Sequence, residues 1–224
     1  MHFAHCPIAL PLPERRIAMA FGNPRAWEDP SMRFLVVYAH PAEDSFQCAL
    51  HRLVVKTLIE SGHDVDDCDL YAEQFQPVLR SAEHRAYNNP DANRAFAQEE
   101  ITRLLRSEGL VLIFPTWWYG MPAILKGYFD RVWLPGTAFK LVNGRTRPLL
   151  QNIVRFAVVT TYGSPWWLNK LMGDPNKRVF TRGMSHLFAR RCRVLWLAGY
   201  GLDFIDKTSR VRFLRKVERH IQTL

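Results

Sequence analysis

A short apolar run that ends in an aromatic turn constrains the fold of this chain more than any other stretch. Residues 110–114, Leu-Val-Leu-Ile-Phe, are wholly apolar, as expected of a strand buried on both faces of a parallel sheet. Residues 115–120 follow and contain a proline, three adjacent aromatic rings and a glycine. Pro122 then suits the first turn of a helix over residues 123–133. A strand, an aromatic turn and a helix in this order predict a flat ligand at the end of a parallel sheet.

The rest of the chain alternates predicted strands with predicted helices. Strands are expected over residues 33–39, 64–70, 110–114, 152–160 and 194–198. Helices are expected over residues 46–61, 92–107, 123–133 and 176–190 and from Lys207 onward, and residues 74–91 and 136–150 are expected to be irregular. This alternation favours one α/β domain over residues 32–224, a doubly wound five-stranded parallel sheet with helices on both faces. With the strand order 2-1-3-4-5, ligands bind where the carboxyl ends of the first and third strands meet.

Residues 1–31 are expected to form an irregular arm outside this domain. Five prolines lie in the first 30 residues, and the apolar core of a signal peptide is missing. No apolar run in the sequence approaches the ~20 residues that span a bilayer, so no membrane span is expected. The cysteines are scattered, which favours free thiols in a reducing cytosol over a metal site or a disulfide framework. They are Cys6, Cys48, Cys68 and Cys192.

The net charge of +9 admits an anionic partner, either a nucleic acid or a small molecule. Much of the excess lies near the end of the sequence, between Arg182 and Arg219, and in the last predicted helix basic residues flank an apolar stripe. The stripe consists of Val211, Leu214, Val217, Ile221 and Leu224. That pattern is typical of a helix docked on a core with its charged face in water. Because no recognition motif accompanies the charge, a nucleic-acid partner is not expected.

Three unusual loops follow the first, third and fourth predicted strands, and a parallel sheet brings them to one edge. The first loop contains His40 and Ser45 and ends at a helix N-terminus, where free N–H groups and the helix dipole favour a phosphate. A plain helix cap is the alternative role for Ser45. The second loop, residues 115–120, offers ring faces to a planar ligand, or else to the core or a second subunit. The third loop, residues 160–164, is small and polar and suits the carbonyl edge of a ring.

These residues resemble the NAD(P)H:quinone oxidoreductase (DT-diaphorase-like) family, whose members are flavoproteins with the flavodoxin-like fold. The most specific part is the pattern Pro-x-x-Trp-Tyr-Gly-x-Pro-Ala-x-Leu-Lys-Gly from Pro115 to Gly127. Further matches are Ala39-His-Pro, Ser45-Phe46, Asp69-Leu-Tyr71, Asp130-Arg-Val132 and Gly136-x-Ala-Phe139. The similarity is clear over residues 33–139, continues through residue 163 and is weak beyond it.

The resemblance implies a homodimer with a flavin at its interface, FAD in preference to FMN, which takes hydride from NAD(P)H and passes two electrons to a quinone. Transferred to this sequence, the flavin-binding residues fall into three groups. They are His40, Ser45, Phe46 and Gln47 for the phosphates, Pro115, Thr116, Trp117, Trp118 and Tyr119 for the isoalloxazine, and Thr160, Thr161 and Gly163 for its pyrimidine edge. Tyr162 and Tyr119 are the candidate catalytic residues, and Lys170 is a second candidate proton source.

Two residues depart from the family pattern, and two other functions remain open. Tyr162 stands where the family prefers glycine, and Gln47 replaces an asparagine. One alternative is a flavin-containing regulatory subunit that docks on a partner such as a transporter. The other is an azo- or nitro-reductase. A flavodoxin-like electron carrier is disfavoured, because such carriers present acidic faces and this chain carries +9.

Overall fold

The computed structural model describes residues 31–224 and contains seven strands in that range. They are β1 (Arg33–Tyr38), β2 (Asp64–Asp69), β3 (Gly109–Pro115), β4 (Phe139–Val142), β5 (Arg145–Pro148), β6 (Arg155–Thr161) and β7 (Arg193–Gly199). Five of them form one parallel sheet in the order β2-β1-β3-β6-β7. Counted within this sheet the order is 2-1-3-4-5, so the predicted topology is confirmed. The expected arm lies outside the described residues, except for Ser31.

The remaining two strands correct the expectation that residues 136–150 are irregular. β4 and β5 pair in antiparallel fashion as a separate hairpin, with Val142 opposite Arg145. Asn143 and Gly144 make the turn at φ +51° and +72°. Positive φ at both central positions is the mark of a type I′ turn, for which Asn-Gly is the preferred sequence. The fourth strand of the sheet, β6, also begins later than expected, at Arg155 instead of residue 152.

Eight α-helices occur in the described part of the chain. They are α1 (Phe46–Glu60), α2 (Ser81–Ala86), α3 (Pro90–Asn93), α4 (Gln98–Arg106), α5 (Ala123–Val132), α6 (Trp166–Leu171), α7 (Pro175–Arg178) and α8 (Lys207–Ile221). Of these, α2 and α6 were not expected. None of the helices within residues 31–224 combines the length and apolar character needed to cross a membrane.

Two of the predicted helices are interrupted. The helix expected over residues 92–107 is split into α3, a 3-10 turn and α4, because Ala97 leaves helical geometry with φ −146° and ψ +42°. The helix expected over residues 176–190 consists of α7, the π-helix Val179–Met184 and the 3-10 turn Ser185–Leu187. Hydrophobic periodicity does not distinguish α-helical, 3-10 and π-helical segments, since all three place side chains around one helix axis.

Helices cover both faces of the sheet, as predicted. α1 and α8 pack on one face through an apolar layer that includes Val54 of α1 and Val217 of α8. α4, α5 and the segment after α7 cover the other face, where Tyr128 and Phe180 are fully buried. The three central strands, β1, β3 and β6, are buried almost throughout, and β3 is apolar on both sides. That double burial explains why β3 is an unbroken apolar run.

Candidate active site

The register of the sheet brings the three unusual loops to one edge. β1 and β3 end side by side, and the backbone N–H of Ala39 donates to the carbonyl of Ile113 at 3.0 Å. β3 and β6 end together in the same way, with Thr116 N–H donating to the carbonyl of Thr161 at 2.7 Å. The loops that follow β1, β3 and β6 therefore leave the sheet next to one another, at the switch point between β1 and β3.

The first loop is a preformed helix cap that includes the His40 ring. The Ser45 hydroxyl accepts from the backbone N–H of Cys48 at 3.1 Å and donates to the carbonyl of Ala42 at 2.8 Å. His40 Nδ1 lies 3.1 Å from the backbone nitrogen of Ala42 and 3.0 Å from the Ser45 hydroxyl, so the ring is held against the helix cap. Ser45 is thus the N-cap of α1, as the alternative reading held, and capping is compatible with anion binding at the same terminus.

The first turn of α1 contains a buried amide that no described residue pairs with. Gln47 is 3% exposed, and neither its side-chain oxygen nor its side-chain nitrogen has a hydrogen-bond partner within residues 31–224. A buried unpaired amide costs roughly 1–3 kcal/mol, so such groups usually await a ligand or water. The neighbouring Phe46 is half-buried and lies 6.4 Å from the ring of Phe213, which ties this turn to α8.

The second loop is a tight turn built from unfavourable residues. Trp117 and Gly120 exchange two backbone hydrogen bonds, of 2.9 and 2.8 Å. Between them Trp118 and Tyr119 adopt φ values of +48° and +61°. Left-handed backbone costs roughly 1–2 kcal/mol for a residue with a Cβ, and bulky residues adopt it rarely. Strain of this kind concentrates at functional sites.

The two tryptophan rings of this turn project away from the domain. Trp118 is 96% exposed, and Trp117 is also largely exposed. The other tryptophan pair, Trp166 and Trp167 at the start of α6, is exposed as well and follows the neighbouring strand β6. Four exposed tryptophans around one sheet edge are costly in water, so this surface suits a ligand or a second subunit.

The third loop is joined to the second by side-chain hydrogen bonds. The hydroxyl oxygens of Thr116 and Thr160 lie 3.0 Å apart, and Asn176 Nδ2 donates to the Thr116 hydroxyl at 3.2 Å. Thr160 is fully buried, whereas Thr116 itself is partly exposed. Pro115 is partly exposed beside them, and Thr161 is 8% exposed.

Tyr162 is buried below this edge, where a glycine would leave space. It is 3% exposed, and its ring stacks on Tyr200 with centroids 4.9 Å apart. Burial raises the pKa of Tyr162 to about 12, and its hydroxyl has no hydrogen-bond partner within residues 31–224. The phenol therefore keeps its proton at neutral pH, and its position beside Thr116 suits a hydrogen-bond donor. Tyr119, the other candidate catalytic residue, is partly exposed in the strained turn.

A loop after β7 completes the edge and was not predicted from the sequence. A Cβ at Gly163 would lie 2.3 Å from Asp203 Oδ2, so the Asp203 carboxylate packs closely over this glycine and would have to move to admit a larger residue. Asp203, Tyr200 and Asn176 thus contact predicted site residues without having been predicted themselves. Each lies in a segment with little sequence pattern. Close packing brings these residues to the edge, and no local motif encodes that packing.

Lys170 lies farther along α6 and forms an ion pair with the buried Asp174. That hydrogen bond raises the pKa of the ammonium group. Within residues 31–224 no three or more His, Cys, Asp or Glu side chains gather in a way that could hold a metal ion.

Residues 32–190 match a protein family described as having the flavodoxin-like fold. The chain belongs to this family. The similar proteins include oxidoreductases. The uncharacterized NAD(P)H oxidoreductase YcaK of Escherichia coli is 36% identical over 182 residues, which cover 80% of this chain and 85% of YcaK. A ribosyldihydronicotinamide dehydrogenase (quinone) of Mus musculus is 28% identical over 211 residues, which cover 86% of this chain and 91% of that protein.

Solved structures agree with this family. Smu.1420 from Streptococcus mutans superposes with a TM-score of 0.74 at 28% identity, covering 86% of this chain and 100% of that one. An FMN-dependent NADH-azoreductase from Bacillus anthracis has a TM-score of 0.70 at 15% identity, covering 86% of this chain and 98% of that one, which shows the fold alone. The expected flavodoxin-like fold and the expected NAD(P)H:quinone oxidoreductase family are confirmed, and the protein is an oxidoreductase.

Proposed function

We propose that the protein is a flavin-dependent NAD(P)H oxidoreductase that reduces quinones or similar two-electron acceptors. The observation that carries this proposal is the convergence of three loops at the switch point between β1 and β3. One loop offers a helix N-terminus, the second exposed rings and the third small polar groups. Phosphate, planar ring and polar ring edge are the three parts of a flavin nucleotide that need binding.

The residues present fit a flavin. The His40 ring and the free N–H groups of the first turn of α1 would bind the phosphates, with Phe46 beside them and the Gln47 amide, unpaired within residues 31–224, as a further donor. Residues 115–119 would bracket the isoalloxazine, and Thr161 and Gly163 would bind its pyrimidine edge. When bound, a flavin supplies the redox chemistry, because its ring accepts hydride from NAD(P)H and delivers two electrons to an acceptor.

The chain's own residues would bind, orient and supply a proton. Two-electron reduction of a quinone to a hydroquinone takes up hydride from NAD(P)H and one proton from the protein or solvent. Tyr162 keeps its phenolic proton at neutral pH and lies beside Thr116, so it would stabilise developing negative charge by hydrogen bonding. Tyr119 would contact the substrate from the strained turn. Lys170 is the second proton source in this proposal, although its ammonium is engaged by Asp174.

The exposed tryptophans support a homodimer. A second copy of the chain would cover Trp117, Trp118, Trp166 and Trp167 and complete the flavin site from the other side. The three cysteines that the structure describes are free, which is consistent with a reducing cytosol.

FAD is the flavin in this proposal, and FMN is the alternative. An FMN-dependent azoreductase shares the fold, which also keeps azo compounds among the candidate acceptors. Chromatography of the flavin released by heat would identify it, and FMN as the only product would contradict the FAD assignment.

The visible absorption spectrum under argon tests the function. We expect a flavin band in the purified protein, or after flavin is added, that bleaches with NADPH or NADH and returns with a quinone. A band that never bleaches would favour a flavin-containing docking subunit of a partner such as a transporter. No band after addition of flavin would contradict both the oxidoreductase and the flavin-containing docking subunit.

Steady-state kinetics tests the shared site. If dinucleotide and acceptor use one face in turn, initial-rate lines at different acceptor concentrations should be parallel, as in a ping-pong mechanism. Lines that intersect would mean that both substrates are bound together.

A further inference from the structure

A cavity of about 200 Å³ opens beside the candidate active site, between α6 and the helical segment that follows it. We call it the basic cavity because four of its lining side chains are cationic and one is acidic. They are Lys170, Lys177, Arg178, Arg182 and Asp174. The cavity borders the site directly, since Asn176, between Asp174 and Lys177, donates to the Thr116 hydroxyl at 3.2 Å.

The positive charge of the cavity is largely unneutralised. Lys170 pairs with Asp174, whereas the side chains of Lys177, Arg178 and Arg182 make no ion pair or hydrogen bond with any other residue of the described chain. Helical winding groups them: Arg182 lies in the π-helix, where i→i+5 hydrogen bonds place it near the same side as Lys177 and Arg178. Cations that converge on a concave surface focus the field there and favour an anion.

The same cavity also offers an acceptor. Asp174 is 7% exposed and holds a left-handed backbone with φ +49°. One carboxylate oxygen binds Lys170, and the other, Oδ1, is buried without a partner in residues 31–224. A buried carboxylate oxygen calls for a hydrogen-bond donor. Three free cations and one acceptor together suit a phosphate next to a hydroxyl group, as in a phosphorylated sugar.

We propose that the basic cavity binds the 2′-phosphorylated ribose of NADPH and makes NADPH the preferred hydride donor. The phosphate would lie among Lys177, Arg178 and Arg182, and Asp174 Oδ1 would accept from the neighbouring ribose hydroxyl. The identity of the dinucleotide rests on the proposed function, whereas the phosphate site rests on the cavity alone.

Calorimetric titration of the full chain with adenosine 2′,5′-bisphosphate and 5′-AMP tests the site without turnover. We expect the bisphosphate to bind at least about tenfold more tightly than 5′-AMP, since charge-assisted contacts to a second phosphate add affinity. Lys177→Gln and Arg182→Gln should each lower bisphosphate affinity about tenfold and leave 5′-AMP binding within about twofold. Equal affinity for the two nucleotides would overturn the proposal.

The control is Arg106→Gln, at the end of α4 and the opposite edge of the sheet. It removes the same charge from an exposed arginine, so it should leave both affinities unchanged. Arg147→Gln, in the exposed strand β5, tests a second arginine-rich loop. A loss of bisphosphate affinity with Arg147→Gln or Arg106→Gln as large as that with Arg182→Gln would show general electrostatic attraction and contradict the cavity as the site.

Two further arms separate the possible outcomes. Inorganic phosphate that binds as tightly as the bisphosphate would indicate a free-phosphate site and overturn the dinucleotide assignment. In turnover, Arg182→Gln should raise the KM for NADPH about tenfold and that for NADH less than about twofold. Bisphosphate binding without bleaching of the flavin band would keep the cavity site and reject the oxidoreductase. If NADPH bleaches the flavin band but Lys177→Gln and Arg182→Gln leave bisphosphate affinity unchanged, the oxidoreductase is kept and the cavity site is rejected.

Discussion

At the scale of single residues, the burial of Tyr162 makes the stability of the native state depend on pH. Burial raises the pKa of this phenol to about 12, so the native state holds the proton more tightly than the unfolded chain. The resulting stabilisation is complete below the unfolded pKa of about 10 and is lost as the pH rises through the folded value. Tyr38, Tyr128 and Tyr200 also have pKa values raised by burial and contribute in the same direction.

Tyr162→Phe should therefore flatten the loss of stability in alkali. We expect the wild-type midpoint of thermal unfolding to fall between pH 9 and pH 11 because the unfolded tyrosines lose protons there, as the reference pKa of about 10 implies. The Phe variant should fall less over the same range, measured by circular dichroism. An identical pH dependence of the two proteins would mean that Tyr162 titrates normally.

Substitutions at Trp118 can separate the effect of backbone strain on stability from the effect of the ring on flavin binding. Trp118→Ala and Trp118→Gly both remove the exposed ring, but only glycine removes the Cβ that opposes φ +48°. We expect the Gly variant to be about 1 kcal/mol more stable than the Ala variant in urea unfolding. Both should retain flavin more weakly than wild type. Equal stability of the two variants would show that the turn stores no strain, and full retention of flavin would remove Trp118 from the site.

At the scale of secondary-structure elements, α1 combines a cap with a binding terminus. Ser45→Ala removes the oxygen that accepts from Cys48 N–H and should lower the free energy of unfolding by about 1 kcal/mol. The same change should weaken flavin binding, because the cap shapes the phosphate site. Chemical denaturation and flavin titration would measure the two effects.

The N-cap of α8 provides the matched control. The Asp206 side chain accepts from Ser209 N–H at 2.9 Å at a helix end that contributes no predicted site residue. Asp206→Ala should lower stability and leave flavin affinity unchanged. If both cap variants weaken flavin binding alike, the effect of Ser45 would come from general destabilisation.

The elements also show where sequence patterns succeed and fail. β3 was predictable because burial on both faces demands an apolar run, and α1 because Ser45 caps it. The β4–β5 hairpin was missed although Asn143-Gly144 is a strong turn signal, since the flanking strands are exposed and lack the alternation of a half-buried strand.

At the scale of the whole molecule, the exposed tryptophans should set the oligomeric state. Glutamates at positions 166 and 167 would place charge in the proposed interface, so the double variant Trp166→Glu, Trp167→Glu should be monomeric at concentrations where wild type is a dimer. Size-exclusion chromatography with light scattering measures this. Ile59→Glu, at the exposed C-terminal end of α1, is the control and should remain dimeric. A wild-type monomer would contradict the proposed homodimer.

The sheet order and the converging loops were predictable from the sequence, whereas the contacts that join the loops were not. Strand order 2-1-3-4-5 follows from five alternating units, and the loop positions follow from the strand ends. Asn176, Tyr200 and Asp203 reach the edge from distant segments, and their approach is decided by packing of the buried Phe180 and the partly buried Trp196. No local motif carries that information.

The central position of β3 also determines how the chain must fold. β3 pairs with β1 through Phe34 and Gly109 and with β6 through Gly109 and Arg155, so both neighbours come from far along the chain. Loops of that length must close before any pairing energy is gained, which slows folding to roughly milliseconds or seconds in proteins rich in distant contacts. Stopped-flow refolding followed by tryptophan fluorescence should show this slow phase, and a microsecond phase alone would contradict it. During that interval the two tryptophan pairs can contact other partly folded chains and promote aggregation. Refolding at a lower protein concentration should therefore raise the yield of native protein.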